Sequence, residues 1–214
     1  MKTIFTLTVL LAVFTSTAFS SNYEETMKTN IGKMRQSTSS EELTQLAGQF
    51  QRIANAEKNK WLPGYYAAYC YASTTFFTQM KPEDVHRQLD LAQAEIDKIA
   101  KIAAKESEIY ALQALVYQLR ITDMTKGMKY SGMATEALKT AESLNPENPR
   151  VYYLTGTNTF HTPKMFGGGK EKAKPYLEKA AKMFETQKPK NALMPDWGKE
   201  YNSQLLSQCN EADN

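Results

Sequence analysis

An all-α fold, a right-handed array of about four helix pairs closed by one C-terminal helix, is what this sequence predicts, on three observations. Apolar residues recur with helical spacing along the whole chain beyond residue 21. No run of alternating apolar and polar residues bounded by turns, the mark of a strand, interrupts them. Aromatic residues also return at a nearly constant step of about 43 or 44 residues, as Tyr23, Tyr66, Tyr110, Tyr153 and Trp197. A fixed step of that size is the signature of stacked helical hairpins, each covering the apolar flank of its neighbour.

The first segment stands outside this pattern. Lys2 precedes an apolar run from Ile4 to Phe14, and Ser16, Ala18 and Ser20 then supply small residues. Positive start, short apolar run and small residues describe a secretory signal peptide over residues 1–20, too short to span a bilayer. The helical domain is expected over residues 21–209 and a frayed tail over 210–214.

The first pair is predicted over Asn22–Gln36 and Ser40–Asn59, with Ser39 or Ser40 as the cap of the second helix and Glu42 placed to reach back. Leu43, Leu46, Ala47, Phe50, Ile53 and Ala54 form its apolar face. The second pair is predicted over Pro63–Gln79 and Pro82–Ala104. Pro63 and Pro82 sit in first turns, where a missing N–H costs nothing, and Glu83 and Asp84 complement the helix dipole. The third covers Lys105–Asp123 and Met128–Leu144, with Tyr110, Ala114, Tyr117 and Ile121 on one stripe and Met133, Ala137, Leu138 and Ala141 on the other. Asn145-Pro146-Glu147-Asn148-Pro149 stops it and starts the fourth pair, Pro149–Phe160 and Lys170–Thr186. A single helix from Pro195 to Cys209 caps the array. Small residues, Ala114 and Gly156 on first helices and Ala94, Ala141 and Ala180 on second helices, fall where axes must approach closely.

Composition excludes several function classes. The formal charge is +3, and the lysines are scattered, so there is no basic stripe for nucleic acid. No apolar stretch after residue 21 is long enough for a transmembrane span. Cys70 and Cys209 are the only cysteines. Export would permit a bridge, which requires the array to curl back on itself; otherwise Cys70 is a small buried apolar residue and Cys209 a tail thiol.

Tyr152-x-x-Thr155-Gly156, Ala173-x-x-x-Leu177-x-x-Ala180 and Ala134-x-x-x-Leu138-x-x-Ala141-x-x-x-Asn145-Pro146 resemble the tetratricopeptide-repeat family over most of residues 62–186. The period is about ten residues longer than the family's 34, and Thr155 and Gln113 stand where the family has leucine. The resemblance implies an α-α superhelix whose first helices line a concave groove. Pro163 to Gly169, followed by Lys170 and Ala173, is also similar to a turn in exported bacterial members, including helical periplasmic partners of tripartite transporters.

Sites of chemistry are sparse. Gly167-Gly168-Gly169 beside Lys170 and Lys172 could form an anion nest or a tight turn needing positive φ; the turn is the simpler reading, since no phosphate-binding loop spacing is present. His161 and Met165, with Met124, Met128, Met133 and the only other histidine, His86, suggest soft donors, but no metal-ligand spacing joins them. No nucleophile elbow or catalytic histidine context occurs, so no enzyme, cofactor or metal is expected. Tyrosines crowd the first helices. Tyr66, Tyr69, Tyr110, Tyr117 and Tyr153, with Asn158 and His161, are therefore the expected groove-lining residues. The expected function is an exported, non-catalytic scaffold, periplasmic or secreted, that binds a peptide or partner protein. The alternative is a small-molecule-binding component associated with a transport system.

Overall fold

The computed structural model describes residues 22–77 and 80–211. They fold into nine α-helices: α1 (residues 22–36), α2 (Ser40–Ala56), α3 (Leu62–Ser73), α4 (Pro82–Ile102), α5 (Ser107–Leu119), α6 (Met124–Leu144), α7 (Pro149–His161), α8 (Lys170–Thr186) and α9 (Lys199–Asn210). There is no strand among the described residues. The signal segment at residues 1–20, the predicted end of the second pair's first helix at Gln79 and the last residues of the tail lie outside them.

Local chemistry sets most boundaries. The Ser39 hydroxyl accepts from the Glu42 N–H, and the Glu42 carboxylate accepts from the Thr38 N–H, so α2 starts on a reciprocal cap. Pro82 and Pro149 open α4 and α7 at the first turn. α6 begins at Met124, one turn before the predicted Met128, because the Asp123 carboxylate accepts from the Lys126 N–H and caps the helix there.

The array is built by packing each helix on the next, with the odd-numbered helices α3, α5 and α7 also touching one another as an inner layer. Inner helices are buried almost all round: α3 buries every residue but Tyr69. The outer helices bury one stripe, as Leu89, Ala92, Ile96 and Ile99 do on α4. Three sequence expectations fail in this layer. Ala94 is exposed and Ala92 holds the crossing position; Met133 is exposed and Ala134 is buried in its place; Ile121 lies beyond α5 in solvent. Ala94 and Met133 lie within two positions of the buried Ala92 and Ala134, a rotation of the stripe, whereas Ile121 falls past the end of α5 at Leu119.

Close approach at α7–α8 depends on Gly156. A Cβ there would lie 2.6 Å from Leu177 Cδ2 and 2.8 Å from its Cγ. Gly156→Ala should therefore lower stability by about 1–3 kcal/mol, whereas Gly132→Ala should raise it by about 0.5–1 kcal/mol. Gly132 lies inside α6 with nothing within 4 Å of the added atom, and urea unfolding of both variants reads the contrast.

The triple glycine is a turn. Gly167 and Gly169 have φ of 89° and 105°, and a side chain on Gly168 would collide with the Thr162 carbonyl. The three N–H groups donate to Lys164, Pro163 and Thr159 carbonyls, which leaves none for an anion nest.

Between α8 and α9 the chain runs irregularly over residues 187–198, and this strap returns across the inner layer. The Tyr66 hydroxyl donates to the Leu193 carbonyl at 2.8 Å, and the Trp197 indole N–H donates to the Tyr65 hydroxyl at 2.8 Å. Arg150, wholly buried, donates to the Pro195 and Trp197 carbonyls and in a two-pronged pair to Glu108 at 2.7 and 2.8 Å. These bonds hold the strap irregular as far as Trp197. Gly198, with φ of 104°, turns the chain into α9 at Lys199, four residues later than the predicted Pro195. The array thus curls back on itself without a bridge, for Cys70 and Cys209 are both free thiols.

An aromatic cleft between the strap and the first two pairs

The recurring rings do not all hold equivalent places. Tyr23, Tyr66, Tyr110 and Tyr153 fall in the first two turns of α1, α3, α5 and α7, but Trp197 lies in the strap. There it stacks on Tyr69 at 5.1 Å between centroids and meets Tyr153 edge-on at 6.4 Å. Its place on the beat of the sequence is therefore not a place in a helix.

Beside this stack lies a cleft of about 380 Å³. α1 and the turn after it supply Met34, Arg35 and Ser37, and α2 supplies Leu43. The end of α3 and the 3₁₀ turn that follows supply Tyr69, Ser73, Phe76 and Phe77. The strap and α9 supply Asp196, Trp197, Gly198, Glu200 and Tyr201. Five rings from two distant stretches of the chain, residues 69–77 and 197–201, thus face one opening. Phe76 and Phe77 are 45% and 43% exposed, unusual for phenylalanine, and Phe76 leans on Tyr201 with centroids 5.9 Å apart. A second hollow of about 380 Å³ between α1 and α2 carries glutamines, Lys33 and Glu42 but no aromatic ring.

The polar groups of the aromatic cleft are few. Ser73 Oγ is buried and makes no hydrogen bond of acceptable geometry. It lies close enough to Tyr69 to offset part of the burial that pushes the Tyr69 phenol well above the ordinary tyrosine range. Tyr69 is accordingly a neutral phenol at any physiological pH. Asp196 accepts from Arg35 at 2.7 Å across the rim.

The predicted groove residues are distributed over several surroundings. Tyr69 lines the cleft and Tyr153 backs it through Trp197. Tyr66 is buried one layer deeper, stacked on Phe50 with its hydroxyl on the Leu193 carbonyl. The other four lie outside the cleft lining. The Tyr110 hydroxyl donates to the Ala104 carbonyl, and Tyr117 stacks on Tyr130 at 6.2 Å. The Asn158 amide donates to the Ser131 carbonyl and the Thr135 hydroxyl and accepts from the Ser131 hydroxyl, tying α7 to α6. His161 ends α7 in contact with Phe160. The first-helix face is thus covered in part by the chain's own strap. Phe76, Phe77, Trp197 and Tyr201 are the cleft rings that sequence reasoning missed. A Phe-Phe pair immediately after a buried helix was the available signal.

Among the described residues no helix is long and apolar enough to cross a membrane, and no cluster of three or more His, Cys, Asp or Glu could hold a metal ion.

No family model matches the chain, and no curated protein does. Among solved structures, a thermophilic TPR protein of Thermus thermophilus shares 15% identity over 80% of this chain and 81% of its own, with a TM-score of 0.43. The HusA haemophore from Porphyromonas gingivalis is similar over 87% of this chain and 92% of its own, at 30% identity and a TM-score of 0.79. At that identity, over most of the length of both molecules, the chain belongs to the family of the HusA haemophore.

Proposed function

We propose that the protein is an exported, non-catalytic carrier of haem or a closely related tetrapyrrole, held in the aromatic cleft. The observation that carries this reading is the set of five rings around one opening, two of them half-exposed phenylalanines, in a relative of a haemophore. A tetrapyrrole is a flat apolar ring with two carboxylates along one edge. Its faces suit offset stacking on rings, and its polar edge suits a rim open to water. The cleft volume is at the low end of the range for small-molecule sites, so the ligand would be partly enclosed, one edge outside. The apolar segment at residues 4–14 supports export.

Of the two readings the sequence allows, a small flat ligand has the better support. A peptide lying along the first helices would have to displace residues 193–198, which are held by buried hydrogen bonds from Tyr66 and Arg150.

The cleft is poor in groups that bind iron. His86 and His161 are not among its lining residues, and Tyr69 is held in its neutral form. Met34, which is buried, and Tyr201, whose ring rests against Phe76, are the remaining lining groups of a kind that ligates haem iron. Five ring faces outnumber them, and capture is assigned to stacking. Titration of the purified protein with haem and with metal-free protoporphyrin, followed by absorbance and by quenching of Trp197 and Trp61 fluorescence, should give dissociation constants within about threefold of each other. No binding of either would remove the proposal. A haem preference of about a hundredfold would replace stacking by coordination.

A further inference from the structure

The geometry points to Arg35 as the residue that selects for the carboxylate edge of the ligand, with Asp196 as an internal competitor that must be displaced. This inference rests on the tetrapyrrole reading of the cleft. Three charged side chains line the cleft: Arg35 on the last turn of α1, Asp196 on the strap and Glu200 on α9. Arg35 is the one cation among them, and its guanidinium is bound to Asp196 at 2.7 Å. With that pair closed, the remaining charge on the wall is Glu200, so the resting cleft repels an anion.

The two arginines tied to the strap differ in a way that decides which can exchange partners. Arg150 and Glu108 are 1% and 7% exposed at the side chain, and breaking them strands a buried charge. Arg35 and Asp196 are 47% and 56% exposed. Water already screens that pair, so its attraction is weak and either member can leave at little cost. A ligand carboxylate arriving at the rim meets the same planar fork of donors, and it brings the ring contacts with it. Asp196 then turns to solvent, while the strap stays held by Tyr66 and Arg150. Neutral flat molecules gain nothing from this exchange, which makes the pair a filter for ligands carrying an acid group.

The test measures affinities of the full-length mature chain for protoporphyrin and for its dimethyl ester, in wild type, Arg35→Gln, Arg35→Lys and Asp196→Asn, with circular dichroism to confirm folding. Arg35→Gln should weaken the diacid by about five- to tenfold, and Asp196→Asn should tighten it by about three- to tenfold, since it frees the guanidinium and removes a negative charge. Arg35→Lys should fall between wild type and Gln, having the charge without the fork. The dimethyl ester should bind all four proteins alike, within about twofold. The inference is overturned if Arg35→Gln leaves the diacid affinity unchanged, or if the ester follows the diacid through the series. Loss of binding in a Phe76, Phe77 variant with no response to Arg35→Gln would keep the cleft and discard this role. Failure of wild type to bind either compound would discard both.

Discussion

Replacement of Arg150 by alanine is expected to lower the free energy of unfolding by about 3–5 kcal/mol, the largest effect of any single substitution considered. The guanidinium is entirely buried and satisfies Glu108 on α5 and two strap carbonyls at once. Its removal leaves the Glu108 carboxylate uncompensated in a dry setting and strips Pro195 and Trp197 of their donor. Glu108→Gln should cost a comparable amount, because it leaves a buried cation with a neutral partner. The double change Glu108→Leu, Arg150→Met should recover only part of the loss. An isolated buried ion pair can often be replaced by apolar groups at little cost. Here two strap carbonyls stay unsatisfied, each worth about 1–3 kcal/mol. Urea unfolding monitored by far-ultraviolet circular dichroism measures all three. A single Arg150→Ala variant within about 1 kcal/mol of wild type would show that the strap does not depend on this network.

The second large effect concerns binding. Phe76→Ala with Phe77→Ala is expected to weaken tetrapyrrole affinity by about 30- to 150-fold, the loss of two aromatic contacts of about 1–1.5 kcal/mol each. Stability should change by about 1 kcal/mol or less, since both rings are already close to half exposed and follow the end of α3 rather than its interior. The separation of the two readouts is the point of the choice. Trp197 faces the same cleft, but its indole N–H holds Tyr65 and its carbonyl holds Arg150, so a Trp197 variant would mix binding with folding. Equal affinity for the double variant and wild type would place the ligand elsewhere, however well the protein folds.

The parts of the fold that were legible in the sequence are those governed by neighbours in the chain. Proline at the first turn of α4 and α7, the Ser39–Glu42 cap and the glycine turn before α8 act over a few residues, so each can be read without knowing the rest of the fold. The missed start of α6 belongs to the same class: Asp123 caps the helix through the Lys126 N–H, a signal only three residues long. One long-range feature also left a trace. Arg150 follows Pro149 at a helix start, where the dipole disfavours a cation, and Glu108 holds the corresponding second position of α5. A cation in the wrong place at the same depth as an anion one repeat away is a sign of a buried pair.

The aromatic cleft left only the Phe76-Phe77 pair as a trace. Tyr65, Tyr66 and Tyr69 spread around one helix, and nothing within α3 says which ring faces a neighbour, which faces the strap and which faces water. That depends on residues 193–198 and the start of α9, more than 120 positions away, and the irregular path of the strap is set by Arg150 and Tyr66. By itself the sequence determined an all-helical array, its pairing and most of its helix starts, because periodicity, caps and turns are local and repeat along the chain; helix ends such as Ser73 and Leu119 came several residues earlier than the periodicity predicted. Only the tertiary structure decided that the array folds its C-terminal segment back over the inner helices, because the bonds that hold it join groups distant in sequence and carry no period. The cleft, its exposed phenylalanines and its Arg35–Asp196 rim are consequences of that return.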